Sequence, residues 1–155
     1  MAKKSKVQTK RISNRRASFD YDLGDSLVVG IELTGAEAKN LRMGHGHLRG
    51  AYVNVKDNEL ILTNATIAGI GSIPIEESEQ TRPRKLLAKR KEIDALIEAK
   101  KQGRTIIPVE IYTASRYIKL KIAIATGKKK YDKRQKIKER EENRNISQRL
   151  KNQRI

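Results

Sequence analysis

His45 and His47 flank a single glycine in the run Gly44-His45-Gly46-His47, a spacing that lets two imidazoles face a common metal ion. A zinc site takes three or four protein ligands, and here the chain has no cysteine and no third ligand close by at a usable spacing, so no metal is expected. Glu76, Glu77 and Glu79 bring three carboxylates together, as acid–base chemistry requires, but no His, Cys or phosphate-cradling loop accompanies them. They read as a solvated loop. No Walker or Rossmann glycine pattern occurs. The residue types therefore point away from catalysis and from any cofactor, and towards a binding protein.

The chemistry the sequence does support is cation against polyanion. Of 155 residues, 35 are Lys or Arg and 18 are Asp or Glu, for a formal net charge of +17. Residues 1–16 hold seven basic and no acidic groups, and residues 127–155 hold twelve basic and four acidic ones, which leaves only +2 for residues 17–126. A nearly neutral domain thus sits between cationic ends. Each phosphate neutralised by such ends releases condensed counterions, so strong and salt-sensitive affinity for nucleic acid is expected. The other reading of the ends is as solvated arms. The lack of cysteine fits a reducing, cytoplasmic setting, and neither an export signal nor a membrane span is expected from the hydropathy.

With aromatic residues at 4%, the elements that position these charges must pack around Ile, Leu, Val and Ala. Residues Ser18–Leu33 predict one bent strand or a hairpin broken at Gly24-Asp25. Thr34 and Glu37 form an S/T-x-x-E capping box and Gly44 supplies a stop, which predicts a helix over Gly35–Met43. Asp57-Asn58 between Ala51–Lys56 and Glu59–Ala65 predicts a two-residue hairpin. Ile67–Thr81 reads as a partly extended segment ending in a loop. Apolar spacing from Leu86 to Ile97 predicts a second long helix over Pro83–Gln102, and Thr105–Tyr112 with Tyr117–Ala125 predicts a further hairpin. Pro108, which cannot donate to a ladder, should lie at an edge or a strand beginning. Six short strands with two or three helices suit a mainly β, α+β fold: a small OB-like antiparallel barrel.

Four blocks in order carry more information than any one alone. They are Asn14-Arg15-Arg16-Ala17 leading to Asp20-Tyr21; Gly30-Ile31-Glu32-Leu33-Thr34-Gly35-Ala36-Glu37-Ala38-Lys39-Asn40-Leu41-Arg42; Arg82-Pro83-Arg84-Lys85-Leu86-Leu87; and Gly127-Lys128-Lys129-Lys130-Tyr131-Asp132-Lys133-Arg134 with Ile137-Lys138-Glu139-Arg140. Over about residues 12–144 the set resembles the SmpB (small protein B) family, bacterial tmRNA-binding proteins of trans-translation. Departures are Val28 where members often have Glu, Phe19 where His is common, and Gly35-Ala36-Glu37-Ala38-Lys39-Asn40 where Gly-Thr-Glu-Val-Lys-Ser is usual. The customary His and Tyr residues around 65–75 are also missing.

The resemblance implies a basic arm over residues 1–12, an OB-like RNA-binding barrel over 13–126, and a basic tail over 127–155 that is disordered when free and helical on the ribosome. It implies that Asn14, Arg15, Arg16, Tyr21, Glu37, Lys39, Arg42, Arg84 and Lys85 contact the tRNA-like domain of tmRNA (SsrA RNA). Lys128, Lys129, Lys130, Tyr131, Asp132, Lys133, Arg134, Lys138 and Arg140 would enter the decoding centre, against small-subunit rRNA of a stalled ribosome. Glu37 also has the helix cap as a sufficient role of its own, and the two can coexist. Tyr131 is either a base-stacking contact or a last core residue that closes the barrel. Alanyl-tRNA synthetase and elongation factor Tu are implied partners through the RNA. The alternative is a basic structural ribosomal protein.

Overall fold

The computed structural model describes residues 11–114 and 116–153. In chain order the elements are β1 (Ile12–Ser13), α1 (Ala17–Asp20), β2 (Tyr21–Ile31), α2 (Gly35–Arg42), β3 (Gly46–His47), β4 (Tyr52–Lys56), β5 (Glu59–Thr63), β6 (Thr66–Ile67), α3 (Glu77–Gln80), β7 (Arg84–Leu87), α4 (Arg90–Lys101), β8 (Thr105–Tyr112), β9 (Lys119–Gly127) and α5 (Lys130–Asn152). Most of the 1–12 arm lies outside the described residues. Its last residue, Ile12, is already part of the domain: it is buried and pairs with Ile111.

Antiparallel pairing runs β8-β4-β5-β7-β2-β9 and returns to β8, so six strands form the OB-like ring, with β1 added alongside β8. The ring is thinnest where β4 meets β8 through the single pair Val53 and Ile106. Its interior is aliphatic, as expected: Leu41, Leu60, Ile106, Leu120 and Ile122 are fully buried, and among the described residues no aromatic side chain appears with the buried hydrophobics. Each such side chain contributes about 1.5–3 kcal/mol on leaving water.

Local signals produced the expected elements where their partners are a few residues away. Asp57 and Asn58 take φ of 51° and 61°, the left-handed pair of a type I′ turn, and put Lys56 opposite Glu59. Strand β2 is one strand rather than a hairpin, bent where its register to β9 shifts between Leu23 and Ser26, at Gly24-Asp25. In the 67–81 segment, Ile70 and Ile73 bridge, α3 forms one turn, and a Cβ on Gly69 would overlap the amide nitrogen of Ile75.

Three expectations are corrected. The long helix over Pro83–Gln102 is a strand followed by a shorter helix. Arg84 and Leu86 point inward while Lys85 and Leu87 point out, and β7 fills the gap between β5 and β2. The Leu86-Leu87 pair fitted helical spacing only because Ile93, Leu96 and Ile97 continued it. Helix α4 begins after Lys89, whose amide donates to the Glu92 carboxylate at 2.9 Å.

Pro108 is neither at an edge nor at a beginning. It is buried inside β8 at the irregularity between Pro108 and Glu110, where the ladder makes no demand on its missing N–H. The tail carries the 23-residue helix α5, with no buried residue. Its first turns lie against α1, where Lys133 meets Asp20. With the one-turn helices α1 and α3, the described residues hold five helices rather than two or three.

Candidate nucleic-acid interface

Helix α2 starts with the expected reciprocal cap. The Thr34 hydroxyl accepts from the Glu37 amide at 3.3 Å, and the Glu37 carboxylate accepts from the Thr34 amide at 3.0 Å. The same carboxylate reaches two arginines. Oε1 takes Arg82 Nε at 2.8 Å, Arg84 Nε at 3.1 Å and Arg84 Nη2 at 3.0 Å, while Oε2 takes Arg82 Nη2 at 2.8 Å. Arg84 in turn donates to the carbonyls of Ala65, Arg82 and Gln80. One buried charge cluster thereby ties α2 to β7, to the 79–82 turn and to the end of the β4–β5 hairpin.

Burial pushes the Glu37 carboxyl upward, yet the hydrogen bonds from Arg82, Thr34 and Arg84 outweigh it and hold the group below its ordinary value. Burial draws the Arg84 guanidinium downward, against the pull of Glu37. An arginine nevertheless stays charged throughout the range in which the fold survives.

Glu37 is 2% exposed and Arg84 0%, so neither side chain offers an atom to an RNA from this position, and both are corrected from contact to support. The cation they deliver to the surface is Arg82, at 30% side-chain exposure. Lys39 is exposed on α2, and Arg42 on the same helix donates its Nη2 to the Arg116 carbonyl at 2.7 Å. Lys85 shares a cleft with Arg82 and lies 2.7 Å from Glu59, and that carboxylate holds its ammonium above the ordinary value.

Beside Arg42 a groove runs between α2 and the β2–β7–β9 surface, lined by Ile31, Leu33, Leu87, Tyr117 and Lys119. Leu87 and Tyr117 are 55% and 68% exposed along it. Leu87, Tyr117 and Lys119 were not anticipated. The alternation in Ile118–Ile122 does place Lys119 outside the barrel, but only the strand pairing of β7 could show Leu87 beside it.

A second cleft, of about 320 Å³, opens between α1 and the barrel and gathers Asn14, Arg16 and Tyr21 with Arg49 and Tyr52. Two guanidinium groups and two phenol rings are the groups that hold phosphate and stack on bases. Asn14 serves mainly as a brace here, donating its side-chain amide to the Pro108 carbonyl at 3.0 Å and its backbone amide to Val109 at 2.8 Å. Arg15 is exposed nearby. Arg49 and Tyr52 were missed, since nothing local distinguishes them from other surface residues.

The tail residues separate by face. Lys128 has 7% side-chain exposure, donates to the Ser18 carbonyl at 2.7 Å and lies 3.8 Å from Asp22, so its role as an RNA contact is corrected to a docking one. Lys133 pairs with Asp20 at 3.2 Å, and the Arg140 guanidinium sits 5.7 Å from the centre of the Phe19 ring. Lys129, Lys130, Tyr131, Asp132, Arg134 and Lys138 face solvent. Tyr131 is 74% exposed, which removes its reading as a closing core residue. Among the described residues no group of three or more His, Asp or Glu side chains is placed to hold a metal ion, and no helix is long and apolar enough to cross a membrane.

Comparison with known proteins gives consistent relatives. The family model described as SmpB protein matches residues 11–152. The SsrA-binding protein of Oenococcus oeni is 44% identical, covering 98% of this chain and 99% of that protein. Its counterpart from Thermosipho africanus is 42% identical, over 92% and 97%. A chain from a solved structure of tmRNA-SmpB and the bacterial ribosome aligns with a TM-score of 0.65 at 34% identity, covering 77% of this chain and 85% of that one. With a capped α2 locked to β7, a six-stranded ring and these relatives over nearly its whole length, the chain belongs to the SmpB family.

Proposed function

We propose that this chain is the tmRNA-binding adaptor of trans-translation, which carries tmRNA to stalled ribosomes. The observation that carries the reading is the match to SmpB and to SsrA-binding proteins across the barrel and the tail together, since the two parts do separate work. The relatives do not favour the alternative of a structural ribosomal protein.

The barrel holds the tRNA-like domain of tmRNA. Arg42 with the adjoining groove, and Lys39 on the same helix, supply one cationic wall for a folded RNA, whose shape and phosphates are read more readily than its sequence. Arg16, Arg49, Tyr21 and Tyr52 supply a second. Helix α5 occupies the decoding centre and the empty mRNA channel through Lys129, Lys130, Tyr131, Arg134 and Lys138, standing in for the missing codon–anticodon pairing. The adaptor makes and breaks no bonds itself. It meets alanyl-tRNA synthetase and elongation factor Tu through the RNA, in the cytoplasm.

The test is competitive binding at about 150 mM salt, where exposed charges more than a Debye length apart are largely screened. The tRNA-like domain should displace labelled tmRNA, whereas hairpin RNAs of equal length should not. Equal competition by both would reject the reading.

A further inference from the structure

Small side chains keep the cleft between α1 and the barrel hollow. Ala17, Ala51 and Ile107 line it and are buried at 2%, 5% and 3% exposure, so no long side chain fills the space above them. Ala17 and Ile107 join Ala125 in a cluster of their own, apart from the barrel's main core, and Tyr21 packs against it.

Both walls of the cleft are braced. Asn14 ties the start of α1 to β8 through the Pro108 and Val109 carbonyls. On the barrel side, the Ala51 amide donates to the Leu48 carbonyl at 3.0 Å and closes a four-residue turn. Its third residue, Gly50, has a φ of 73°, the conformation for which a type II turn takes glycine. Leu48 is buried and anchors that turn, while Arg49 is exposed at its tip. Strand β4 follows, and its alternation buries Val53 and turns the Tyr52 ring outward at 40% exposure. A site braced in this way has little left to order when a ligand arrives.

Among the described residues the Arg49 side chain has no carboxylate or hydrogen-bond partner, and Arg16 has only Asp20, 3.8 Å away. Two guanidinium groups are therefore open to a phosphate. Asp20, which also lines the cleft, would repel a bare anion. A nucleotide resolves the conflict: its phosphate suits the arginines, its base suits a tyrosine ring, and every base carries an N–H that a carboxylate accepts.

We infer that this cleft holds one unstacked nucleotide, with its base on Tyr52 and its phosphate on Arg49 and Arg16. The inference deepens the functional reading above and rests on it for the RNA that supplies the nucleotide. Two RNAs have the chemistry, tmRNA and the small-subunit rRNA met by the tail, because Tyr21 pairs with Gly127 where the tail begins.

The cleft is tested first without either RNA, by NMR titration of the full-length protein with AMP at millimolar concentration. Saturable shifts are expected at Gly50, Ala51, Tyr52 and the Ala17 methyl, and ribose 5-phosphate should not produce them. Tyr52→Phe should keep the titration, Tyr52→Ala should weaken it about tenfold, within the range for one base stacked on a ring, and Arg49→Ala should weaken it several-fold. The spectra also report whether each variant is folded. Equal shifts with ribose 5-phosphate, or no saturable shift at the cleft, overturn the nucleotide site.

Two further assays on Tyr52→Ala identify the source. Weaker binding to tmRNA alone at about 150 mM salt assigns the nucleotide to tmRNA. Wild-type affinity for tmRNA with several-fold lower tagging, at protein concentrations that saturate tmRNA, assigns it to the ribosome. Wild-type values in both assays overturn a role for the cleft in holding RNA. If the unsubstituted protein fails to bind tmRNA, the functional reading falls, while the AMP titration still decides the cleft.

Discussion

Replacing Glu37 by Gln leaves the shape of α2 intact and tests whether its carboxylate is the centre of the barrel's polar lock. The glutamine keeps one oxygen, enough for the three bonds now made to Oε1, but puts an NH₂ where Oε2 accepts from the Thr34 amide and Arg82 Nη2. Two donors then face a donor. Charged hydrogen bonds contribute about 1.5–3 kcal/mol each, and breaking one side of a buried pair costs about 3–5 kcal/mol. Arg82 can turn into water, which recovers part of the loss, whereas Arg84, at 0% exposure, cannot. A net loss of about 3 kcal/mol is expected, with a fall in Tm on the order of 10 °C for a domain of this size.

The pH dependence gives the sign independently. Glu37 is held below the ordinary carboxylate value of 4.5, so its stabilisation is complete above that value and disappears as pH falls through the lower folded value. The gap between wild type and Glu37→Gln should therefore be widest near neutrality and close on acidification. Urea unfolding at several pH values measures it. A difference below about 1 kcal/mol at pH 7, or one independent of pH, would refute the assignment of Glu37 as the buried anion of this cluster.

Tyr131→Ala should leave Tm unchanged, because the ring is exposed, while lowering peptidyl transfer to tmRNA on stalled ribosomes by the equivalent of about 1–3 kcal/mol, the scale of one base stacked on an aromatic ring. A Tm several degrees lower would contradict it. Removing residues 129–155 should preserve the barrel's cooperative unfolding and much of its tmRNA affinity but abolish tagging, since α5 buries no side chain; full tagging by the truncated protein would sink that division of labour. Lys85→Ala should leave Tm within about 2 °C of wild type, because its partner Glu59 is also exposed. Measured as a salt series, the same variant should bind tmRNA with a shallower slope if Lys85 neutralises a phosphate, and with the wild-type slope if it does not.

The elements visible in the amino-acid order are those whose stabilising partners are close along the chain. Thr34 and Glu37 cap a helix across three residues, Asp57-Asn58 closes a hairpin across two, and the aliphatic composition already implied a core without rings. The separation of charge into a neutral domain and cationic ends, and the ordered family blocks, were likewise readable without coordinates.

Tertiary structure alone decided matters in which the competing partners are distant. Arg84–Leu87 became a strand because β5 and β2 left a gap between them, although its leucines continued a helical pattern. Glu37 turned inward because Arg82 and Arg84, some 45 residues away, close over it. Arg49 and Tyr52 joined Asn14, Arg16 and Tyr21 only when the barrel closed. The tail's cations, uniform in the sequence, divided into those that meet a carboxylate and those that face solvent because Asp20 and Asp22 stand beside its first turns: charge is counted from composition, but what each charge faces depends on where the fold puts its counterion.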